Sequence, residues 1–342
     1  MDMDYGGVPL WINHLLGEPS VMSLQGRSMD RSWFRATNQL SCPDQCECPI
    51  HWPTALYCDS RGLVNVTETL PQRTQYLFLQ GNNISTLSSS ALSNVTGLRW
   101  LILDHNHLKT LDSDLLQDQS ELWYLFVNHN WLKSIPAGLP RGLRQLRLAH
   151  NRISSIGQEA LSKLHKITVL LLQGNRLKTV AEGEVKGLLS LNLLDLSGNL
   201  LTSVPKDLPA SVEQLYLSNN SLSSLERDSF SGYSSLKYLR LGHCGLNSPR
   251  IHHAAFNISS LIELDLSYNK LVTTPTVPTS LQYLYLEANR IQEFNLTSFC
   301  REGGPMSYSR IQVLRLEGNG LASHQLPPDW VYCLRVLHRL YI

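Results

Sequence analysis

The sequence predicts an α/β solenoid, a curved stack of short repeats whose strands form one parallel β-sheet on the concave face. The first observation is a pattern, L-x-x-L-x-L-x-x-N-x-L, that recurs eleven times between about residues 74 and 321. The second is that six of the seven cysteines lie before residue 59 or after residue 299. The third is that no apolar run reaches the ~18 residues of a membrane-spanning helix.

The L-x-L segment of each repeat predicts a short β-strand with one buried face, because successive strand residues point to opposite faces. Successive strands should lie about 4.8 Å apart, with the leucines stacked into one core. A pattern of this kind with a period of 20–30 residues is typical of leucine-rich repeats, whose stacks form a horseshoe.

The asparagine after each strand is expected to turn inward, where its amide can bond backbone groups of the turn that leaves the strand. Cys244 occupies one position of this asparagine column. A small, nearly apolar side chain fits the position, and a reactive or intermolecular thiol is the alternative. The asparagines themselves are residues 82, 106, 130, 151, 175, 199, 220, 269, 289 and 319.

The repeat pattern divides the chain into four parts. Residues 1–41 lack the repeat, and we expect them to form a flexible N-terminal arm. Residues 42–73 form a cysteine-rich N-terminal cap, residues 74–299 the repeats, and residues 300–342 the C-terminal end with its own cap. No clean signal peptide is present, since residues 8–16 are short and interrupted by Asn13 and His14. We therefore expect the true N-terminus to be missing from this sequence, and unconventional export is the alternative.

Clustered cysteines at both ends favour disulfide-bonded caps, which cover the exposed ends of a solenoid core in an oxidising compartment. Sequence alone allows three pairings of Cys42, Cys46, Cys48 and Cys58. A zinc site at the close cysteine pair is disfavoured, because no CxxC or HxxxH spacing accompanies it. A bridge between the two C-terminal cysteines would close a loop of about 34 residues and contribute roughly 4 kcal/mol.

Glycosylation sequons also indicate secretion. Six N-x-S/T sequons are unusual for a chain that is not exported, and they agree with the cysteine pattern. The candidate N-glycosylation sites are Asn65, Asn83, Asn94, Asn219, Asn257 and Asn295.

Residues that flank the central leucine of each strand should face the concave surface. The strands near residues 76, 100 and 124 place six large apolar or aromatic side chains there, which predicts an exposed interaction patch. Cover by the N-terminal arm or a homodimer contact are the alternatives. Later strands mix charges with tyrosines, which suits a wet, polar interface. The candidate partner-binding residues are Tyr76, Phe78, Trp100, Tyr124, Phe126, Arg147, Tyr216, Arg240, Asp265, Tyr285 and Arg315.

A histidine column precedes the ladder residue in three successive repeats, at His105, His129 and His150. These rings should lie roughly 5 Å apart. Zinc binding is conceivable, and exposed polar turn residues are the favoured interpretation.

The overall charge and motif content exclude other function classes. The formal net charge is +1, which does not indicate a nucleic-acid partner. No HExxH, GxSxG, P-loop or dinucleotide motif occurs, and an open concave sheet is not a water-excluding pocket. We expect neither an enzyme nor a cofactor.

The spacing C-x3-C-x-C-x9-C, together with ladder intervals that alternate between 24 and 21 residues, resembles class II small leucine-rich proteoglycans. The 30-residue step from Asn289 to Asn319 is similar to the extended ear repeat of that family. The resemblance covers residues 42–342. It implies the disulfides Cys42–Cys48, Cys46–Cys58 and Cys300–Cys333, and N-glycans or keratan sulfate on repeat asparagines.

The same resemblance implies a secreted extracellular-matrix protein that binds fibrillar collagen and regulates fibril assembly and diameter. Two of the departures from the family pattern lie on the concave face and in the ear repeat. Ser218 replaces a concave acidic residue, and Gly320 and Ala322 replace a charged pair of the ear repeat. The alternative function is a secreted signalling module that binds growth factors or cell-surface receptors.

Overall fold

The computed structural model describes residues 42–66, 69–157, 159–300 and 308–342. Thirteen strands form a single sheet in which spatial order follows chain order from β1 to β13. The predicted N-terminal arm and residues 301–307 of the ear repeat lie outside the described residues. The strands are β1 Ala55–Tyr57, β2 Tyr76–Phe78, β3 Trp100–Ile102, β4 Tyr124–Phe126, β5 Gln145–Arg147, β6 Val169–Leu171, β7 Leu193–Asp195, β8 Gln214–Tyr216, β9 Tyr238–Arg240, β10 Glu263–Asp265, β11 Tyr283–Tyr285, β12 Val313–Arg315 and β13 Arg339–Tyr341.

Every strand is three residues long, has leucine at its centre and pairs in parallel with the next strand without a shift in register. Leu101 on β3, for example, pairs with Leu77 on β2 and Leu125 on β4. These central leucines are fully or almost fully buried from β1 to β12. The structure therefore confirms the predicted leucine-rich-repeat horseshoe with its concave parallel sheet.

Turns and short helices return the chain between strands on the side of the coil opposite the sheet. In the described ranges these helices are 3₁₀ segments at Ser89–Leu92, Ser248–Arg250, Leu296–Ser298 and Ser323–Gln325, and one α-helix, α1, at Trp330–Cys333. Buried residues such as Leu92, Phe230 and Phe256 close the core from this side.

The asparagine column forms the predicted ladder. The Asn151 side-chain oxygen accepts from the Leu132 backbone N–H at 3.0 Å in the preceding repeat. Its amide nitrogen donates to the backbone oxygens of Val127 at 2.8 Å and Leu148 at 3.0 Å. Each asparagine thus joins its own turn to the previous one and satisfies backbone groups that are shielded from water.

Cys244 stands in the ladder as a buried free thiol, with its sulfur 3.2 Å from the Leu217 carbonyl oxygen. Burial raises the pKa of this thiol to about 11, so it stays protonated at neutral pH. Asn220 accepts from the Leu201 backbone N–H. The corresponding N–H of Leu222, which faces the Cys244 position, has no hydrogen-bond acceptor among the described residues.

Disulfides close both ends of the described solenoid. Cys42 pairs with Cys48 and Cys46 with Cys58, beside an antiparallel bridge between Glu47 and Tyr57. Cys300 pairs with Cys333 across the ear repeat. Cys48, Cys58 and Cys333 pack against the leucine core, so the bridges also cover its ends. Because Cys46 and Cys48 are both in disulfides, neither offers a thiolate ligand to zinc.

We predict that Asn151→Ala lowers the free energy of unfolding by about 1–3 kcal/mol. The buried Leu132 N–H loses its acceptor, and the Val127 and Leu148 carbonyls each lose one of their donors. Urea unfolding followed by circular dichroism measures the change. Ser155→Ala, at an exposed position on the same turn, is the matched control. Equal stability of the two variants would contradict a contribution of the asparagine ladder to the free energy of folding.

Candidate binding face

The first and third residues of each strand face the concave surface, and they divide it into three zones. An aromatic cluster occupies β1 to β4, a central apolar cluster occupies β6 to β9, and a polar strip runs from β9 to β13. The aromatic cluster consists of Trp52, Ala55, Tyr57, Tyr76, Phe78, Trp100, Ile102, Tyr124 and Phe126.

The aromatic cluster is held together by ring contacts between neighbouring strands. Tyr57 stacks on Phe78 with ring centroids 4.6 Å apart, and Trp100 meets Tyr76 and Tyr124 edge-on at 5.1 and 5.4 Å. The Arg147 guanidinium lies 4.1 Å from the centre of the Phe126 ring. Such contacts stabilise the cluster beyond the burial of its apolar area.

The prediction that these aromatic side chains are exposed is wrong for three of them. Phe78, Trp100 and Phe126 are only 6–7% exposed, while Tyr76 and Tyr124 are half-buried. Alternation along a strand sets the direction of a side chain, and strand spacing of about 4.8 Å then brings large rings into mutual contact. Arg147 and Tyr216, also expected to face a partner, are 6% and 2% exposed.

The central apolar cluster comprises Val169, Leu171, Leu193 and Tyr216, with Tyr238 packed against it. Sequence analysis placed these side chains on the concave face but did not recognise that they form a second cluster. The signal was available, since Val169, Leu171 and Leu193 are apolar at positions where other repeats carry polar residues. Beside them lies an open cleft of about 650 Å³, lined in part by Gln145, Asn192 and Glu213.

Asp195 is a buried carboxylate at the edge of this cluster. Its Oδ1 accepts from the Ser197 backbone N–H at 2.9 Å, and its Oδ2 has no hydrogen-bond partner among the described residues. Burial raises the pKa of Asp195 to about 6, against the opposing effects of the Ser197 hydrogen bonds and of Arg240. Sequence analysis did not single out this residue.

Tyr216 connects the central cluster to the polar strip. Its hydroxyl donates to the Gln214 side-chain oxygen at 2.9 Å, and the Arg240 guanidinium lies 4.5 Å from its ring centre. Burial raises the pKa of Tyr216 to about 12. The ring therefore acts as a neutral, fixed support beneath Arg240.

The side chains of the polar strip are more accessible than those of the two clusters. Arg240 pairs with Glu263 at 3.1 Å, and Arg315 pairs with Glu287 at 3.4 Å and with Glu317. The remaining members, Tyr238, Asp265, Tyr283 and Tyr285, are half-buried and reach solvent. Charges and phenolic groups thus alternate over five strands, an arrangement that suits recognition of a polar, elongated partner.

The histidine column lies outside the sheet, on the flank where the chain leaves the strands. His129 stacks between His105 and His150 with centroid distances of 4.2 and 4.4 Å. Burial, together with repulsion from both neighbours, lowers the pKa of His129. No group of metal-ligating side chains occurs in the described part of the chain. All three rings are exposed, as polar turn residues would be.

The asparagines of all six sequons are exposed to solvent. Asn94 and Asn257 lie on the side of the coil opposite the sheet, whereas Asn83 and Asn219 lie in turns that leave β2 and β8. The Asn295 oxygen accepts from the backbone N–H of Thr297 at 3.0 Å.

Comparison with known proteins first shows that the chain is a leucine-rich-repeat protein. The sequence model described as "Leucine rich repeat" matches residues 72–132, 141–201 and 199–246. A chain from the octameric complex of Latrophilin 3, Unc5D and FLRT2 (LRR) superposes with a TM-score of 0.69 at 26% identity, covering 87% of this chain and 83% of its own. An LRR protein of Leptospira interrogans, at 23% identity and a TM-score of 0.53 over 80% and 81% of the two chains, shares the fold.

Curated relatives then define the family. Fibromodulin of Bos taurus is 42% identical over 297 residues, which cover 86% of this chain and 78% of that protein. Lumican of Bos taurus is 42% identical over 304 residues and 88% of both chains. Human lumican is 42% identical over 302 residues, covering 88% and 89%. The chain belongs to the class II small leucine-rich proteoglycans.

No helix among the described residues has the length and apolarity needed to cross a membrane.

We predict that Asp195→Asn stabilises the protein at pH 7 by about 1–3 kcal/mol. Burial raises the pKa of Asp195 from 3.8 to about 6, so ionisation of this carboxyl destabilises the folded state relative to the unfolded state. The penalty is absent below about pH 4 and develops as pH rises towards 6, so the gain of the variant should follow that window. Denaturant titrations at pH 4 and pH 7 test this. Glu182→Gln, at an exposed carboxylate, is the control. A gain that does not change with pH would contradict the buried charge.

Proposed function

We propose that this protein is a secreted extracellular-matrix component that binds fibrillar collagen through the polar strip of its concave face and limits lateral fibril growth. The observation that carries the proposal is the open strip of Arg240, Asp265, Tyr285 and Arg315 on the sheet of a class II small leucine-rich proteoglycan. A collagen triple helix displays charged and apolar side chains along a rod, and the strip offers partners for both.

The concave zones differ in what they can offer a partner. The rings of the aromatic cluster, Phe78, Trp100 and Phe126 among them, already pack on their own neighbours, and little of their area remains for an intermolecular contact. The side chain of Arg315 is 40% exposed, so a partner can reach this guanidinium beside Glu287 and Glu317. This contrast supports binding at β9 to β13.

The departures from the family pattern support a smaller set of charged residues as the collagen contact. The Ser218 hydroxyl accepts from the Gly242 backbone N–H at 3.2 Å and carries no charge. Gly320 and Ala322 bring no charge to the ear repeat. We therefore assign the charged contacts to Arg240, Asp265 and Arg315 rather than to these positions.

Secretion is supported by the pairing of six cysteines in disulfides and by six exposed sequon asparagines. We propose N-glycans at these asparagines, with Asn94 and Asn257 as the first candidates for keratan sulfate. Both lie away from the concave sheet, so glycans there leave the polar strip open.

A signalling function is the second candidate. A chain with the same fold occurs in an assembly of Latrophilin 3, Unc5D and FLRT2, so a leucine-rich-repeat protein of this shape can take part in a complex of several proteins. A growth factor or receptor would use the same accessible strip, because the side chains of the two apolar clusters already pack on one another.

We predict that the folded protein slows collagen fibrillogenesis and narrows the fibrils, and that Arg315→Glu combined with Tyr285→Ala reduces this effect at least about tenfold in the protein concentration required. Charge reversal leaves Arg315's acidic neighbours, Glu287 and Glu317, facing the ligand without a cation. Turbidity curves and fibril diameters by electron microscopy measure the result. Lys186→Glu, an exposed charge reversal opposite the sheet, is the control.

Unchanged turbidity and fibril diameter at saturating wild-type protein would overturn collagen regulation. Capture of a purified growth factor or receptor ectodomain that the double variant fails to bind would then favour the signalling function. Sedimentation velocity of the same samples detects a homodimer that buries the strip.

A further inference from the structure

A second charged surface lies on the flank of the solenoid, outside the concave sheet. We call it the basic flank and define it by the four turns 105–110, 129–134, 150–155 and 174–179, which leave β3 to β6. These turns contain no aspartate or glutamate. They carry the cations Lys109, Lys133, Arg152, Arg176 and Lys178, and the imidazoles of His105, His107, His129 and His150.

The cations of the basic flank are exposed, and none of the five forms an ion pair with another described residue. The polar strip differs, since its Arg240 and Arg315 pair with glutamates. The whole chain has 29 lysines and arginines and 28 acidic residues, so its charges nearly balance. The four turns of the basic flank, in contrast, hold five cations and no acidic residue. Such a cluster attracts a polyanion, and the attraction weakens with salt.

The cluster has defined limits along the solenoid. The preceding turn, residues 81–86, and the following turn, residues 198–203, contain no charged residue. On the same flank further along, Lys270 and Arg290 are each the single cation of their turn, and Glu293 lies in the turn of Arg290. The four charged rows span about 14 Å, or three steps of about 4.8 Å between strands.

The fold fixes the spacing of these rows. Because β3 to β6 pair without a shift in register, equivalent turn residues line up in columns. The stacked rings of His105, His129 and His150 make one such column. A surface whose cations are already positioned binds an extended anion with less loss of side-chain freedom.

Trp131 adds an apolar element at the centre of the flank. It is 37% exposed, with the His107 ring centre 4.7 Å from its own and the Arg152 guanidinium 5.1 Å away. An exposed indole beside a guanidinium can receive the apolar face of a sugar ring while the cation binds an anionic substituent on it. This combination favours a charged polysaccharide over an acidic peptide.

We infer that the basic flank binds a sulfated glycosaminoglycan chain, with Lys133, Arg152 and Arg176 as the principal sulfate-binding residues and Trp131 as the sugar contact. The chain lies across the four turns, along the direction in which the repeats stack. The site is separate from the concave strip, so the protein can hold a fibril on one face and a polysaccharide on its flank. The inference does not depend on collagen binding.

The test uses the full chain and a size-fractionated heparin oligosaccharide, with affinity measured by fluorescence anisotropy over a series of salt concentrations. The variant Lys133→Ala/Arg152→Ala/Arg176→Ala should weaken binding at least about tenfold and lower the slope of log Kd against log salt by about two to three, because three ion contacts are lost. Lys270→Ala/Arg290→Ala, on isolated cations of the same flank, should change the affinity less than about twofold. Trp131→Ala should weaken binding with no change in the salt slope.

All substituted side chains are exposed, and the thermal midpoint of each variant, followed by circular dichroism, should match that of the parent chain. Wild-type affinity in the triple variant, or an equal loss in the Lys270/Arg290 control, would overturn the inference. Tighter binding of a single-stranded oligonucleotide or of phosphatidylserine vesicles than of heparin would also overturn it. The Arg315→Glu/Tyr285→Ala variant should keep full heparin affinity, which separates failure of this site from failure of collagen binding.

Discussion

In every repeat except that of Cys244, a ladder asparagine joins its turn to the one before it, and the rest of the structure depends on that link. The side chain accepts a backbone N–H from the preceding repeat and donates to carbonyl oxygens of both repeats, as Asn151 does with Leu132, Val127 and Leu148. These bonds act with the hydrogen bonds between strands to hold neighbouring strands in one register. Side chains at equivalent positions must therefore form straight columns along the solenoid, and every surface of the protein is built from such columns.

The sequence predicted the direction in which strand side chains point better than it predicted how far those side chains are buried. The L-x-L pattern predicted the eleven strands β2 to β12 and their inward leucines, because alternation of side chains is a local property of the backbone. It did not predict β1 and β13, which lie in the two caps. It could not give the burial of Phe78, Trp100 and Phe126, which depends on side chains from adjacent strands meeting across the sheet. Asp195 was missed for the same reason, since only the three-dimensional arrangement shows that its neighbours exclude water.

The two candidate surfaces use the column arrangement in different ways. On the concave face, cations and carboxylates alternate between neighbouring strands, so that Arg240 and Arg315 are held by glutamates and present a mixed surface. On the basic flank, the column positions are filled by cations and imidazoles alone, and the charge accumulates. For the histidine column, sequence analysis considered zinc binding and favoured exposed polar turn residues. The structure shows that this column belongs to a wider set of basic turns, with Trp131 at its centre.

Residue-resolved hydrogen exchange of the native protein tests the ladder most directly. The account expects strong, similar protection for the Leu108, Leu132, Ile153, Leu177 and Leu201 amides, each bonded to a ladder asparagine. It expects markedly faster exchange at Leu222, where Cys244 replaces the asparagine acceptor. Protection at Leu222 equal to that at Leu201, or rapid exchange at the five bonded amides, would contradict the ladder as the link that sets the register.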